Sequence, residues 1–164
     1  MNKYTALLAV FVLFLMGAGC ASTDDAITDS LTGFEDFDLT LELDDYTVDI
    51  VAPELVSVGD SVKIVATITN SGSEDAILDS VDIASEYLEG VAVTSADPAY
   101  FETYLVETDN TISHTFLETI PAGESLEVTF SATAVEAGLY SGAFDICINT
   151  GWNCFFEDIA TMVQ

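Results

Sequence analysis

The chain is 164 residues long and sets 29 Asp and Glu against only two basic residues, for a formal net charge of −27. Half of its residues are hydrophobic, which separates it from acidic disordered chains, whose apolar content is too low to build a core. The length suits one ordinary domain, and two lysines cannot neutralise a phosphate backbone, so no nucleic-acid partner is expected.

Lys3 supplies a positive start, and residues 4–19 are uncharged, with Leu7, Leu8, Val10, Phe11, Val12, Leu13, Phe14, Leu15 and Met16 as an apolar run. The uncharged stretch is shorter than the roughly 20 residues that span a bilayer as a helix. It closes on the small residues Gly17, Ala18 and Gly19. Charge, apolar stretch and small-residue cleavage site follow one another as in an export signal. Ala18-Gly19-Cys20-Ala21 resembles the lipobox of bacterial and archaeal lipoproteins, with Gly17 standing where that family prefers Leu. The resemblance implies a signal peptide over 1–19, a lipid on the Cys20 thiol, and attachment to the membrane through it. The expected location is therefore extracytoplasmic, anchored to the cell membrane or cell surface. Without the leader the chain keeps Lys63 as its one base. Such dense carboxylates repel one another over a screening distance of about 8 Å, which suits a saline or cation-rich exterior; the alternative is an acidic surface that simply keeps an exported protein soluble.

Residues 20–44 are rich in Ser, Thr, Asp and Glu and read as an acidic tether, although Phe37, Leu39, Leu41 and Leu43 alternate as a strand would. From about residue 45 the apolar pattern has a period of two. Val62, Ile64, Ala66 and Ile68 form one such run, Leu126, Val128, Phe130 and Ala132 a second, and Tyr140, Phe144, Ile146 and Ile148 a third. Shorter candidates lie at 47–51, 77–83, 91–94, 111–116 and 155–163, and a turn of helix is predicted near 99–105. Seven to eight short strands parted by Gly, Pro, Asn and Ser turns predict an all-β chain, an antiparallel Ig-like β-sandwich over 45–164.

Four turn-and-strand signatures carry a family likeness. They are Val58-Gly59-Asp60-Ser61-Val62, Ile68-Thr69-Asn70-Ser71-Gly72, Pro121-Ala122-Gly123-Glu124-Ser125 and Ala137-Gly138-Leu139-Tyr140-Ser141-Gly142. Together they resemble the CARDB and NEW3-type immunoglobulin-like domains of prokaryotic surface proteins. The resemblance implies the sandwich fold and an extracytoplasmic setting, and it brings no catalytic residues. Glu136-x-Gly138-x-Tyr140 also resembles the tyrosine corner of Ig-like sandwiches.

Cys147 and Cys154 flank six residues. Pairing them sets 148 opposite 153 and 149 opposite 152, with Thr150-Gly151 at the hairpin tip, so both cysteines share a face. An exported chain makes this pair a disulfide, contributing about 2–3 kcal/mol on a chain-entropy account. The same register sets Ile146 against Phe155 and Phe144 against Glu157, which predicts a bulge further along. With His114 as the chain's single histidine, zinc and blue-copper ligand sets are incomplete, so no metal or cofactor is expected. His114 itself, between Ile112 and Phe116, reads as a partly buried strand histidine.

The acid clusters Asp36/Asp38, Asp44/Asp45 and Glu107-Thr108-Asp109-Asn110 carry oxygen ligands suited to calcium, but none has EF-hand spacing. Tyr100, Phe101 and Tyr104, interleaved with acids, and Trp152 at the hairpin tip are the candidate partner contacts. The expected function is a lipid-anchored, non-enzymatic binding, adhesion or envelope protein with a protein or surface-polymer partner. The alternatives are an accessory docking subunit of an exported complex and a calcium-binding surface protein.

Overall fold

In a computed structural model, which describes residues 43–149 and 153–164, alternating strands face one another in two sheets. After a single 3-10 turn, Leu43–Asp45, the strands are β1 (Tyr46–Val51), β2 (Leu55–Val56), β3 (Ser61–Asn70) and β4 (Ala76–Ala84). A six-residue helix α1 (Ser85–Gly90) precedes β5 (Val91–Asp97), β6 (Glu102–Val106) and β7 (Thr111–Ile120). The chain closes with β8 (Ser125–Ala134), β9 (Gly138–Ile148) and β10 (Cys154–Val163). The smaller sheet runs β1-β3-β8-β5 and the larger β2-β10-β9-β4-β7-β6. Every pairing is antiparallel except that of the two-residue β2 with β10.

This is the all-β, Ig-like sandwich read from the alternation, with all eight expected strands present. Two strands are additional, β2 and β6. The second replaces the helix expected near 99–105. Glu102–Val106 instead pairs along β7, and Phe101 N–H already donates to Thr115 O at 3.1 Å. A seven-residue helix nucleates poorly, whereas the open edge of β7 offers a ready row of partners. The helix forms earlier, where the chain crosses from the larger sheet to the smaller.

The core lies between the sheets. Val62, Ile64, Ala66 and Ile68 of β3 and Val128, Phe130, Ala132 and Ala134 of β8 face inward from one side. Val81, Ile83, Phe116, Phe144, Ile146 and Ile148 face them from the other. Phe130 spans the gap, with edge-on contacts to His114, Phe116 and Phe144 at ring separations of 5.3, 6.1 and 5.8 Å. Edge-to-face pairs of this kind add to the burial they accompany.

One irregularity decides which side chains share that core. Leu78 and Val81 are both fully buried although they stand three apart, which a regular strand cannot arrange. The register slips between Leu78 and Ser80, and from there Val81 and Ile83 turn inward while Ser80 and Asp82 turn out. No such slip occurs where it was expected. β9 and β10 pair without interruption from Cys147–Cys154 to Gly138–Val163, Phe144 standing opposite Glu157. Glu157 is exposed, so the pairing buries no charge and needs no bulge.

Helix α1 is held from inside. The buried Tyr87 hydroxyl donates to Thr161 Oγ1 at 2.9 Å, and Thr161 Oγ1 in turn donates to Pro53 O at 2.8 Å. At the helix end, a Cβ on Gly90 would collide with the ring of Tyr140, so this glycine admits the ring. The tyrosine expected at a corner thus packs its ring face on α1.

Truncating Phe130 removes a ring that touches three aromatics of the facing sheet. Phe130→Ala is expected to lower unfolding free energy by about 3–5 kcal/mol, measured by denaturant titration.

Candidate functional site: an acidic hollow on the larger sheet

Five strands of the larger sheet align one row of outward-facing residues. Phe156 of β10 stands opposite Asp145 of β9, which stands opposite Asp82 of β4. Asp82 stands opposite Ser113 of β7, and Ser113 opposite Tyr104 of β6. The next row reads Cys154, Cys147, Ser80, Thr115 and Glu102. The rows exist because the β4 bulge keeps Ser80 and Asp82 on the outer face.

Above them lies a hollow of about 430 Å³, lined among others by Asp79, Asp82, Asp109, Asp145, Tyr104 and Phe156. Phe156 is 77% exposed and Tyr104 50% exposed, so two aromatic rings stand up at opposite ends of the row. Between them the row closes over: Asp145, which lines the hollow, is 8% exposed, and Ser113, further along the row, is 1% exposed. Like charges directly opposite on paired strands repel.

The hydrogen bonding of this floor is incomplete. Asp82 Oδ1, Asp145 Oδ1 and Ser113 Oγ are buried and have no partner. Buried oxygens are almost always bonded, and one left without a donor costs about 1–3 kcal/mol. Burial, and then the charges of Asp82, Asp109 and Asp158, push the Asp145 carboxyl up to about 6, against a backbone hydrogen bond from Glu157 that lowers it. Asp82 Oδ2 lies 3.9 Å from the Cys147 sulfur, which in a disulfide has no proton to donate.

The residues singled out by sequence fall in different places. Cys147 and Cys154 are bonded as predicted, with Cα atoms 4.0 Å apart. Ile148 N–H donates to Asn153 O at 2.9 Å, which closes the hairpin next to the cysteine pair. Tyr100 is partly buried and stacks edge-on against His114 at 4.9 Å and Phe116 at 6.3 Å. Phe101 is exposed, and Tyr104 rims the hollow. Cys20 and Trp152 lie outside the described residues, as do Asp36 and Asp38.

His114 belongs to the core, 3% exposed and flanked by the rings of Tyr100 and Phe130. Burial pushes its imidazole below the usual range, backbone hydrogen bonds at Val81 and Ile112 and the charge of Asp82 acting the other way. The segment Glu107–Asn110 is the β6–β7 turn. Asn110, at φ 58°, donates its N–H to Val106 O, and Asp109 Oδ1 accepts from Thr111 Oγ1. Among the described residues, no group of three or more His, Cys, Asp or Glu is placed to hold a metal ion.

Asp82, Asp145, Ser113 and Phe156 were missed by the sequence reading. A signal existed for two of them. Once Cys147 is set against Cys154, two steps along the ladder put Asp145 against Phe156.

No protein-family profile matches the chain, and no curated protein matches it. Among solved structures it is similar to the CARDB domain of a Pyrococcus furiosus protein in complex with di-metal ions. That likeness has a TM-score of 0.46 and 15% identity, covering 73% of this chain and 88% of that one. A cohesin module from a Clostridium perfringens family 33 glycoside hydrolase gives a TM-score of 0.47 at 11% identity, covering 73% and 96%. The cupredoxin domain of amoB from Nitrosocaldus yellowstonii gives 0.44 at 12%, covering 73% and 84%.

The Asp145 shift has a definite sign. A carboxyl that titrates near 3.8 unfolded and about 6 folded makes the native state hold a proton the unfolded chain has lost. Its contribution to stability is intact below the unfolded value and is lost as pH rises through the folded one. Asp145→Asn is therefore expected to leave stability at pH 4 nearly unchanged. At pH 7 it should raise stability by on the order of 1 kcal/mol after allowance for solvent screening in the hollow. Denaturant melts at both values check this, and an equal effect at both would contradict it.

Proposed function

We propose that this chain is an exported surface lipoprotein, anchored through Cys20, whose sandwich is a non-catalytic binding module. The Cys147–Cys154 disulfide carries the assignment of compartment, because such bonds persist where thiols are not kept reduced. The leader and the lipobox-like Ala18-Gly19-Cys20 supply the route out and the point of attachment. Among the described residues no helix is long and apolar enough to cross a membrane. In this reading the anchor is the lipid on Cys20.

For the role of the domain, the position of His114 is informative. The chain's one imidazole is sealed between core rings, where it reaches no substrate. The features that do face outward, rings beside carboxylates on a rigid sheet, are those of recognition. In this reading the module holds a protein or surface polymer near the membrane. The calcium-binding alternative draws no support from Glu107–Asn110, whose polar groups close a turn.

Mass spectrometry of the N-terminal peptide from the membrane fraction tests the anchor. A lipid on Cys20 is expected, and Cys20→Ser should move the protein into the soluble fraction. An unmodified N-terminus elsewhere in the chain, on membrane-fraction protein, would contradict the proposal.

A further inference from the structure

Three buried oxygens of the larger sheet's outer face, on three adjacent strands, have no hydrogen-bond partner: Asp145 Oδ1, Asp82 Oδ1 and Ser113 Oγ. Asp145 lines the hollow while more than nine-tenths buried, and Ser113, on the same row, is more deeply buried still. Among the described residues no lysine or arginine lies on this sheet: Lys63 is exposed on β3 of the other one, and Lys3 lies outside the described residues. A cation from outside would satisfy these oxygens.

The chemistry of the walls narrows what that charge is. A hard divalent ion asks for six or more oxygens, and no three-ligand metal cluster is present among the described residues. An ammonium group has N–H donors and no acceptor, which suits the two carboxylate oxygens of the hollow that lack donors, Asp82 Oδ1 and Asp145 Oδ1. Its alkyl stem would lie between Tyr104 and Phe156, whose rings favour a cation and its methylenes alike.

We propose that the hollow binds a primary ammonium group on an alkyl stem, through Asp82 and Asp145, with Tyr104 and Phe156 as its walls. This deepens the binding-module reading and rests on it. The ammonium can be a lysine side chain of a partner protein or a free alkylamine, and the two sources share the same recognition.

The test is calorimetric titration of the full chain in detergent, at raised salt so that diffuse attraction to the acidic surface is screened. The probes are N-acetyl-lysine methylamide, 1,5-diaminopentane, the neutral N-acetyl-norleucine methylamide, and calcium chloride. The two ammonium probes are expected to bind and the neutral one not to. A tighter lysine derivative assigns the site to a protein side chain, and a tighter diamine to a free amine.

Asp82→Asn and Asp145→Asn should each weaken binding by about tenfold, since each removes a charge-assisted hydrogen bond. Phe156→Ala should weaken it by roughly threefold with the charge unchanged, which keeps the test independent of any effect of the Asp variants on folding. Equal loss in Asp44→Asn, binding of the neutral analogue, no binding of either ammonium probe, or displacement of the lysine probe by equimolar calcium would overturn the proposal. The anchor is judged separately: a missing lipid on Cys20 would refute the lipoprotein reading and leave this titration unaffected, whereas a flat titration would remove the ammonium site and leave the anchor standing.

Discussion

A single displaced residue in β4 governs both faces of the larger sheet. Strand side chains alternate, so Leu78 facing inward would force Ser80 and Asp82 into the core and throw Val81 and Ile83 out. The slip at Asp79 reverses that assignment for the rest of the strand. The apolar gain is immediate, because Val81 and Ile83 then join Phe144, Ile146 and Phe130 in one packed layer. The polar consequence is equally direct: Asp82 is delivered to the outer face, opposite Asp145 on one side and Ser113 on the other.

That outer face is where folding and charge conflict. An unneutralised pair of carboxyls on adjacent central strands lowers stability, and the hollow limits the water that would relieve it. The raised titration of Asp145 is the measure of that conflict. A surface with 29 acids can absorb many exposed charges at small cost, since water and salt screen them. It cannot do so for two that are half sealed between Tyr104 and Phe156. The disulfide beside them stiffens the β9–β10 hairpin and holds Phe156 and Asp145 in their shared register.

Much of the architecture could be read from residue order because it depends on local periodicity. The inward runs of β3, β8 and β9 are plain in Val62–Ile68, Leu126–Ala132 and Phe144–Ile148, and the Cys147–Cys154 spacing sets its own hairpin register. Tyr87 and Tyr100 against Phe101 and Tyr104 illustrate the limit: all four are aromatics among acids, yet the first two pack inward and the others stay exposed. β6 escaped notice because Glu102–Val106 gains its strand geometry from the edge of β7 rather than from its own pattern. The hollow escaped for a related reason. Asp82 and Asp145 are 63 residues apart in sequence, and each alone looks like an ordinary outward acid on a strand; only the pairing of β4 with β9 makes them a site.

The central claim is that Asp82 and Asp145 form a partly desolvated, unneutralised pair, and the carboxyl titration of Asp145 tests it most directly. NMR of the protein with labelled aspartate carboxyl carbons should show Asp145 titrating at about 6. In Asp82→Asn its midpoint should fall toward the ordinary carboxylate range. An Asp145 that titrates in that ordinary range in the unaltered protein, and does not respond to Asp82→Asn, would contradict the account.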